Sequence, residues 1–235
     1  MSRTRRWWQF RRRVPGRSVA AILWFGFGRT VVSISLRVLY RYGVLDRDRI
    51  PAEGPVLVVA NHESFLDPML VGSTMSDRQF SPLARDSLFR FRPFGALLRS
   101  YGVIPVRREG GDAAAMRATI AELKAGRCVA VFPEGTRSPD GRMLPFRRGV
   151  LLMLGRVDCE VIPMGIAGSF EVWPKGRGRP RWRGRTTVAV GEPIPAKVLR
   201  ELPPQEALAR LEDAVRAEVD RARPVSGLPT RDGDR

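Results

Sequence analysis

The chain has 235 residues, of which 43% are hydrophobic, and it carries a formal net charge of +17. This length supports one folded domain with a full core, and the recurring apolar runs exclude a largely disordered chain. One histidine and two separated cysteines cannot form an ordinary zinc site by themselves. Cys128 and Cys159 lie in apolar runs, which predicts reduced core residues rather than a disulfide.

The N-terminal segment, residues 1–49, combines basic and apolar side chains. Residues 1–50 contain twelve arginines and two acidic residues, a net charge of +10. Arg29 and Arg37 interrupt the apolar run that begins at residue 19, which disfavours a helix centred in a bilayer. We expect an interfacial helix or helical hairpin that docks on anionic membrane. A basic amphipathic helix packed on its own domain is the alternative, and no small-residue cleavage site supports a secretory signal.

Strand-length apolar runs alternate with helical patterns from residue 54 onwards. Continuously apolar strands separated by helices are typical of a parallel sheet covered on both faces. The predicted fold class is therefore α/β, a mostly parallel sheet flanked by helices, with an N-terminal membrane-associating helical segment. This domain is expected over 50–223, followed by a disordered tail over 224–235. Strands are predicted at 55–60, 102–106, 128–133, 159–168 and 186–194, and helices at 86–102, 112–126, 149–157 and 203–222.

The only histidine, His62, follows the strand at 55–60, where α/β sheets usually bind ligands. A neutral imidazole can accept a proton from a hydroxyl nucleophile, and a carboxylate such as Asp67 can orient it. On a regular helix these two residues lie about 140° apart, so they meet only if a turn separates them. Pro68 favours a helix that starts there with Asp67 at its N-cap. The spacing alone equally allows a helix cap beside an inert histidine.

Three further loops follow predicted strands and are expected at the same edge of the sheet as His62. Two of them supply Arg107 and Arg137, whose guanidinium groups suit an anionic substrate. Glu134 can hold such an arginine or bind a substrate hydroxyl. Each arginine taken alone also fits a solvated loop residue. The loops span 102–109, 132–141 and 161–169.

Residues 61–67, "NHESFLD", resemble the H-x4-D motif of the glycerolipid acyltransferases in its N-H-x-S-x-x-D form. Residues 102–107, 132–138 ("FPEGTRS") and 161–165 are similar to the second, third and fourth sequence blocks of that family. The order and the separations of the blocks also agree with the family, and the resemblance covers residues 50–195.

The resemblance implies that His62 is the general base and that Asp67 orients it. It implies that Pro163 and its neighbours shape the acyl or acceptor pocket. No metal and no cofactor are implied. The implied acceptor-phosphate site consists of Arg107, Glu134, Gly135, Thr136 and Arg137.

The resemblance also implies the reaction and its partners. An acyl group would pass from acyl-CoA or acyl-carrier protein, as co-substrate, to the free hydroxyl of lysophosphatidate, giving phosphatidate. No covalent acyl-enzyme is required, which suits a chain without the G-x-S-x-G pattern of a nucleophile elbow. Backbone N–H groups near residues 61–67 are candidates for stabilising the oxyanion. We expect the protein at the cytoplasmic face of the cell membrane, bound to an anionic surface, with no nucleic acid partner.

The sequence leaves three alternatives open. The same chemistry fits glycerol phosphate, another lysolipid or a glycolipid hydroxyl as acceptor. The basic segment 173–185, with six positive and no negative side chains, also suits nucleic acid, although no nucleic-acid motif accompanies it. The chain could also retain the fold without the activity. Segment 173–185 itself fits membrane phosphates, a donor-binding surface or a solvated loop, and we favour the membrane.

Overall fold

A computed structural model describes residues 18–75, 78, 80–106 and 111–229. The strands in these residues are β1 Gly43–Leu45, β2 Val56–Ala60, β3 Phe80–Arg85, β4 Ile104–Val106, β5 Cys128–Val131, β6 Glu160–Ala167, β7 Thr187–Val190 and β8 Ile194–Pro195. The helices are α1 Val19–Tyr40, α2 Asp67–Thr74, α3 Arg92–Ser100, α4 Gly111–Lys124, α5 Gly149–Leu154, α6 Ser169–Val172, α7 Ala196–Arg200 and α8 Pro204–Val225, with 3-10 turns at Arg47–Arg49 and Asp86–Phe89.

The strands form one sheet in the order β1-β7-β6-β2-β5-β3-β4, and β8 pairs with β6. Strands β6, β2, β5, β3 and β4 are parallel to one another, whereas β7 and β8 are antiparallel to β6. The predicted α/β fold with a mostly parallel sheet is therefore confirmed. The carboxyl ends of β2, β5 and β6 lie at one edge of the sheet, as the topology of a parallel sheet requires.

The central strand β2 is fully buried because helices cover both faces of the sheet. Val56, Val58 and Ala60 point to a core shared with α1 and α2. Leu57 and Val59 point to the other core, shared with α4, α5, α7 and α8. This double coverage explains why the strand is continuously apolar rather than alternating. Both cysteines are free and buried, as predicted.

The C-terminal helix α8 packs closely against β6. A Cβ atom on Gly165 would lie 2.0 Å from the backbone nitrogen of Val219, so only glycine permits this approach. The helix is longer than predicted and ends at Val225. Residue 224, where the tail was expected to begin, is therefore helical, and residues 230–235 lie outside the described part of the chain.

Helix α1 is one continuous helix of 22 residues, capped by the hydroxyl of Ser18. Its inner side packs Phe25, Val32 and Leu36 against the core. By length and composition it is apolar enough to cross a membrane. The arginine-rich residues 1–17 lie outside the described residues. The outer side of α1 exposes seven large apolar side chains: Val19, Leu23, Trp24, Phe27, Val31, Ile34 and Val38.

The single strand predicted over 186–194 is two strands, β7 and β8. Two other differences from the prediction have local reasons. The helix predicted over 86–102 is a short 3-10 turn followed by α3, because Pro93 lies in the first turn of α3, where its missing N–H is tolerated. Strands β1 and β3 were not predicted. The first has only three residues, and the second contains Pro82, which interrupts the strand pattern.

Candidate active site

Asn61 fixes the chain just beyond the end of β2. Its side-chain Nδ2 donates to the carbonyl of Ile166 at 2.9 Å, and its Oδ1 accepts from the N–H of Ile166 at 2.7 Å. The side-chain amide of Asn61 thus makes with β6 the two hydrogen bonds that one more backbone residue of β2 would make. This contact determines where the next residue, His62, begins its turn.

The side chains of His62 and Asp67 meet across the turn that follows. Nδ1 of His62 lies 2.8 Å from Oδ2 of Asp67, whose side chain is fully buried, whereas that of His62 is 19% exposed. The same Oδ2 accepts from the backbone N–H groups of Glu63 and Ser64, both at 2.7 Å. The helix begins at Asp67 itself, so the predicted N-cap role is wrong. The carboxylate binds the preceding turn instead of the following helix.

The loop after β5 holds His62 from its other side. The ring of Phe132 stacks on the imidazole with the centroids 4.2 Å apart. The backbone N–H of His62 donates to Oε1 of Glu134 at 2.7 Å, and its carbonyl accepts from the N–H of Ser138 at 2.8 Å. The imidazole is therefore fixed by a ring, a carboxylate and the backbone, which leaves Nε2 as the ring nitrogen free for chemistry.

Glu134 has a different environment from the one that the sequence implied. Its Oε2 accepts from the N–H of Leu144 at 3.0 Å, so both carboxylate oxygens bind backbone. The residue is only 3% exposed, and burial raises its pKa to about 7, although the two N–H donors lower it. Glu134 connects the histidine turn to the loop after β5, and its position does not suit direct contact with a substrate.

The neighbouring residues of the "FPEGTRS" loop lie on the open side of the site. Gly135 has φ +70°, and a Cβ there would lie 2.7 Å from the guanidinium of Arg147, so the turn needs glycine. The guanidinium of Arg137 lies over the ring of Phe65, 3.3 Å from its centroid. This cation–π contact holds the arginine beside the histidine turn. Arg107, the fifth expected residue, lies outside the described residues.

Lys175 joins this loop from a distant part of the sequence. Its Nζ lies 3.3 Å from the hydroxyl of Thr136, 39 residues earlier. The segment before it is held by the hydroxyl of Ser64, which donates to the carbonyl of Trp173 at 2.8 Å. The sequence placed Lys175 only in a basic cluster, and no local pattern indicates its neighbour.

The backbone N–H groups of residues 62–66 all donate to other atoms of the protein. Their acceptors are the carboxylates of Glu134 and Asp67, the carbonyl of Trp173 and the hydroxyl of Ser64. Each of these five groups is already paired within the fold, so none of them is available to an oxyanion. The expectation for the N–H groups near residues 61–67 stays a prediction only for those of Asn61 and Asp67.

Two remaining expectations concern Pro163 and metal ions. Pro163 is buried inside β6 opposite Val59, four residues before the end of the strand, and not at the edge with His62. Within the described residues, no group of three or more His, Cys, Asp or Glu side chains has an arrangement that could hold a metal ion.

Comparison with known proteins identifies relatives of similar architecture. A crystal structure of the 1-acyl-sn-glycerophosphate acyltransferase PlsC from Thermotoga maritima superposes with a TM-score of 0.67 and 25% sequence identity, covering 86% of this chain and 87% of that one. A 1-acyl-sn-glycerol-3-phosphate acyltransferase of Bacillus subtilis is 24% identical over 179 residues, which is 75% of this chain and 85% of the relative.

Two longer relatives carry the same enzyme name. The chloroplastic BAT2 protein of Brassica napus is 28% identical over 165 residues, and the alpha form of Bos taurus is 31% identical over 172 residues. These alignments cover 69% and 70% of this chain but 47% and 59% of the relatives, so the chain spans about half their length. A profile of the Acyltransferase family matches residues 41–167, more than half of the chain. The chain therefore belongs to the acyltransferase family, in agreement with the resemblance of its motifs to the glycerolipid acyltransferases.

Proposed function

We propose that this protein transfers a fatty acyl group from acyl-CoA or acyl-carrier protein to the free hydroxyl of lysophosphatidate, giving phosphatidate. The observation that carries the proposal is the 2.8 Å contact between His62 and Asp67 at the same edge of the sheet as Arg137 and Lys175. A base oriented by a carboxylate beside two cations suits a hydroxyl acceptor that bears a phosphate. The names of the relatives support the same substrate.

The proton on Nδ1 follows from the chemistry of Asp67. An ionised carboxylate only accepts hydrogen bonds, so the Nδ1 of His62 donates to it and Nε2 carries the lone pair. The acceptor hydroxyl gives its proton to Nε2 while its oxygen attacks the thioester carbonyl carbon. The C–S bond then breaks, and the imidazolium returns the proton to the departing thiolate. Asp67 stabilises the imidazolium between the two transfers.

The acceptor phosphate would bind where Thr136, Arg137 and Lys175 converge. Arg137 supplies a planar fork of donors and Lys175 a compact charge, which are complementary ways to bind a phosphate. Arg107 is a further contact implied by the motif. Glu134 takes a positioning role in this scheme, because its two oxygens hold the backbone of His62 and Leu144.

A membrane-facing surface would deliver the lipid acceptor. It consists of the exposed apolar side of α1 and the basic segment 173–185, all six of whose cationic side chains are exposed. Trp182 is 82% exposed and lines a cavity of about 620 Å³ together with Val38 of α1. Apolar and cationic groups side by side suit an anionic bilayer, and the anionic lipids of the cytoplasmic leaflet attract such polybasic segments.

The proposal is tested by acyl transfer with the purified chain in detergent. Lysophosphatidate and glycerol phosphate are offered separately, with one labelled acyl thioester. We expect transfer to lysophosphatidate, and we expect His62→Ala to lower the rate by about 10²–10⁴-fold while the fold is retained by circular dichroism. A folded His62→Ala protein with near-normal transfer would overturn the mechanism. Preferred transfer to glycerol phosphate would overturn the acceptor.

A further inference from the structure

The hydroxyl of Ser169, the first residue of α6, lies between two buried carboxyl groups. Its Oγ is 2.6 Å from Oδ1 of Asp67 and 3.1 Å from Oε1 of Glu63. Ser169 and Asp67 are completely buried and Glu63 is 5% exposed. None of the steps proposed above gives Glu63 or Ser169 a role, although Ser169 contacts the carboxylate that orients His62.

The protons in this cluster can be assigned by counting donors. Oδ2 of Asp67 accepts from the backbone N–H groups of both Glu63 and Ser64, which suits an ionised carboxylate, and the Nδ1 of His62 then donates to it as well. A hydroxyl has a single hydrogen, and the 2.6 Å contact places that of Ser169 on Oδ1 of Asp67. The Oγ of Ser169 can then only accept from Glu63.

Glu63 can donate to Ser169 only if its carboxyl group is protonated. Burial raises the pKa of Glu63 well above its usual range, and the negative charges of Asp67 and Glu171 raise it further. The N–H of Phe170, 3.3 Å from Oε1, acts in the opposite direction and lowers the pKa of Glu63. The titratable groups around the cluster are Asp67, Glu171, Glu134 and His62.

We propose that Glu63, in its neutral form, and Ser169 are positioning residues of the acyltransferase site. They form a chain of hydrogen bonds, Glu63 to Ser169 to Asp67, that ends on the Nδ1 of His62. These hydrogen bonds fix the plane of the Asp67 carboxylate and disperse part of its negative charge. This proposal rests on the proposed function, because it concerns the residue that orients the general base.

The first experiment is spectroscopic and requires no activity. Infrared difference spectra of the full chain, recorded across a pH titration, are compared for wild type and Glu63→Gln. We expect the wild type to show a protonated buried carboxylic acid at neutral pH that is lost in Glu63→Gln. The absence of that band from the wild type would overturn the proposal even if acyl transfer is normal.

The second experiment measures kcat/KM for acyl transfer as a function of pH. Glu63→Gln replaces the neutral acid by a neutral donor, so we expect the pH profile of its kcat/KM to keep the wild-type shape. Ser169→Ala removes a donor from Asp67 and leaves its charge less dispersed, which stabilises the imidazolium. In the pH profile of kcat/KM for Ser169→Ala, we expect the acid limb to move to higher pH by about half a unit or more. We expect the value of kcat/KM to fall about 10-fold.

Ser169→Thr keeps the hydroxyl and should restore the wild-type profile. A Ser169→Ala protein that loses stability but keeps the wild-type pH profile would show a structural role alone and overturn the proposal. If Ser169→Ala does not fold, Glu63→Gln decides the question, since a loss of more than about 100-fold would indicate an ionised Glu63. A wild-type chain without acyl transfer would reject the proposed function, while the infrared result would still stand.

Discussion

The carboxylate of Asp67 lies 2.8 Å from the imidazole of His62, although the five-residue spacing would separate the two side chains on a regular helix. The contact exists because the chain turns at Glu63 and Ser64 before α2 begins, and the carboxylate itself stabilises that turn by accepting both N–H groups. Asp67 is therefore both a structural acceptor and the partner of the histidine.

Replacing Asp67 by asparagine should impair both of its roles, the stabilisation of the turn and the pairing with His62. One amide oxygen cannot accept from all the donors that surround the carboxylate, and an amide does not stabilise an imidazolium. We expect kcat to fall by about 10²–10⁴-fold, measured by acyl transfer to lysophosphatidate. Asp213→Asn, on the exposed side of α8, serves as the matched control and should be unchanged. An Asp67→Asn protein with the kcat of that control would contradict the pairing.

The sequence predicts the position of the site in the fold, because parallel strands place their carboxyl ends at one edge of the sheet. That rule alone brings His62 and the loop containing Arg137 together. The rule does not predict which side chains contact one another at that edge. Glu134 was expected to hold an arginine or to bind a substrate hydroxyl, but its two oxygens accept from backbone N–H groups, since its neighbours depend on the path of two loops. Lys175 was indistinguishable from the other basic residues until the fold placed it on Thr136.

The buried carboxyl of Glu134 predicts a pH dependence of stability. Its pKa rises from an ordinary 4.5 to about 7 in the folded chain, mainly because of burial. Between these values the folded protein holds a proton that the unfolded chain has released. The stability that this proton confers is complete below pH 4.5 and is lost as the pH rises through 7, a total of roughly 3 kcal/mol.

Urea unfolding at pH 4.5, 6 and 8 measures this effect. Glu134→Gln does not titrate, so we expect its free energy of unfolding to fall less over this range than that of the wild type. Comparing the two proteins cancels the contribution of Glu63, whose pKa is also raised. Parallel pH curves for the two proteins would show that Glu134 does not titrate in this window.

Lys175 should affect acceptor binding more than chemistry. Its Nζ contacts the Thr136 hydroxyl at the predicted phosphate site, and Lys175 has no part in the proposed proton transfers. We expect Lys175→Ala to raise KM for lysophosphatidate about 3–10-fold with kcat nearly unchanged, as the loss of an exposed charge–charge contact suggests. Lys175→Arg should restore most of the affinity. Arg177→Ala, two residues on, removes an equal charge, and an identical effect there would point to long-range attraction instead of contact.

The exposed apolar side of α1 should determine membrane binding without altering the site. Replacing Phe27, Val31 and Ile34 by glutamine removes apolar surface while retaining residues that favour helix. Because burying one such side chain is worth about 1.5–3 kcal/mol, we expect binding to vesicles of phosphatidylcholine and phosphatidylglycerol to weaken at least about 10-fold. Leu152→Gln, on α5 and on the opposite layer of the sheet, is the matched control because it is equally exposed. Co-sedimentation reports binding, and acyl transfer in detergent should remain at the wild-type level. Unchanged sedimentation of the α1 variant would mean that another surface holds the protein on the bilayer.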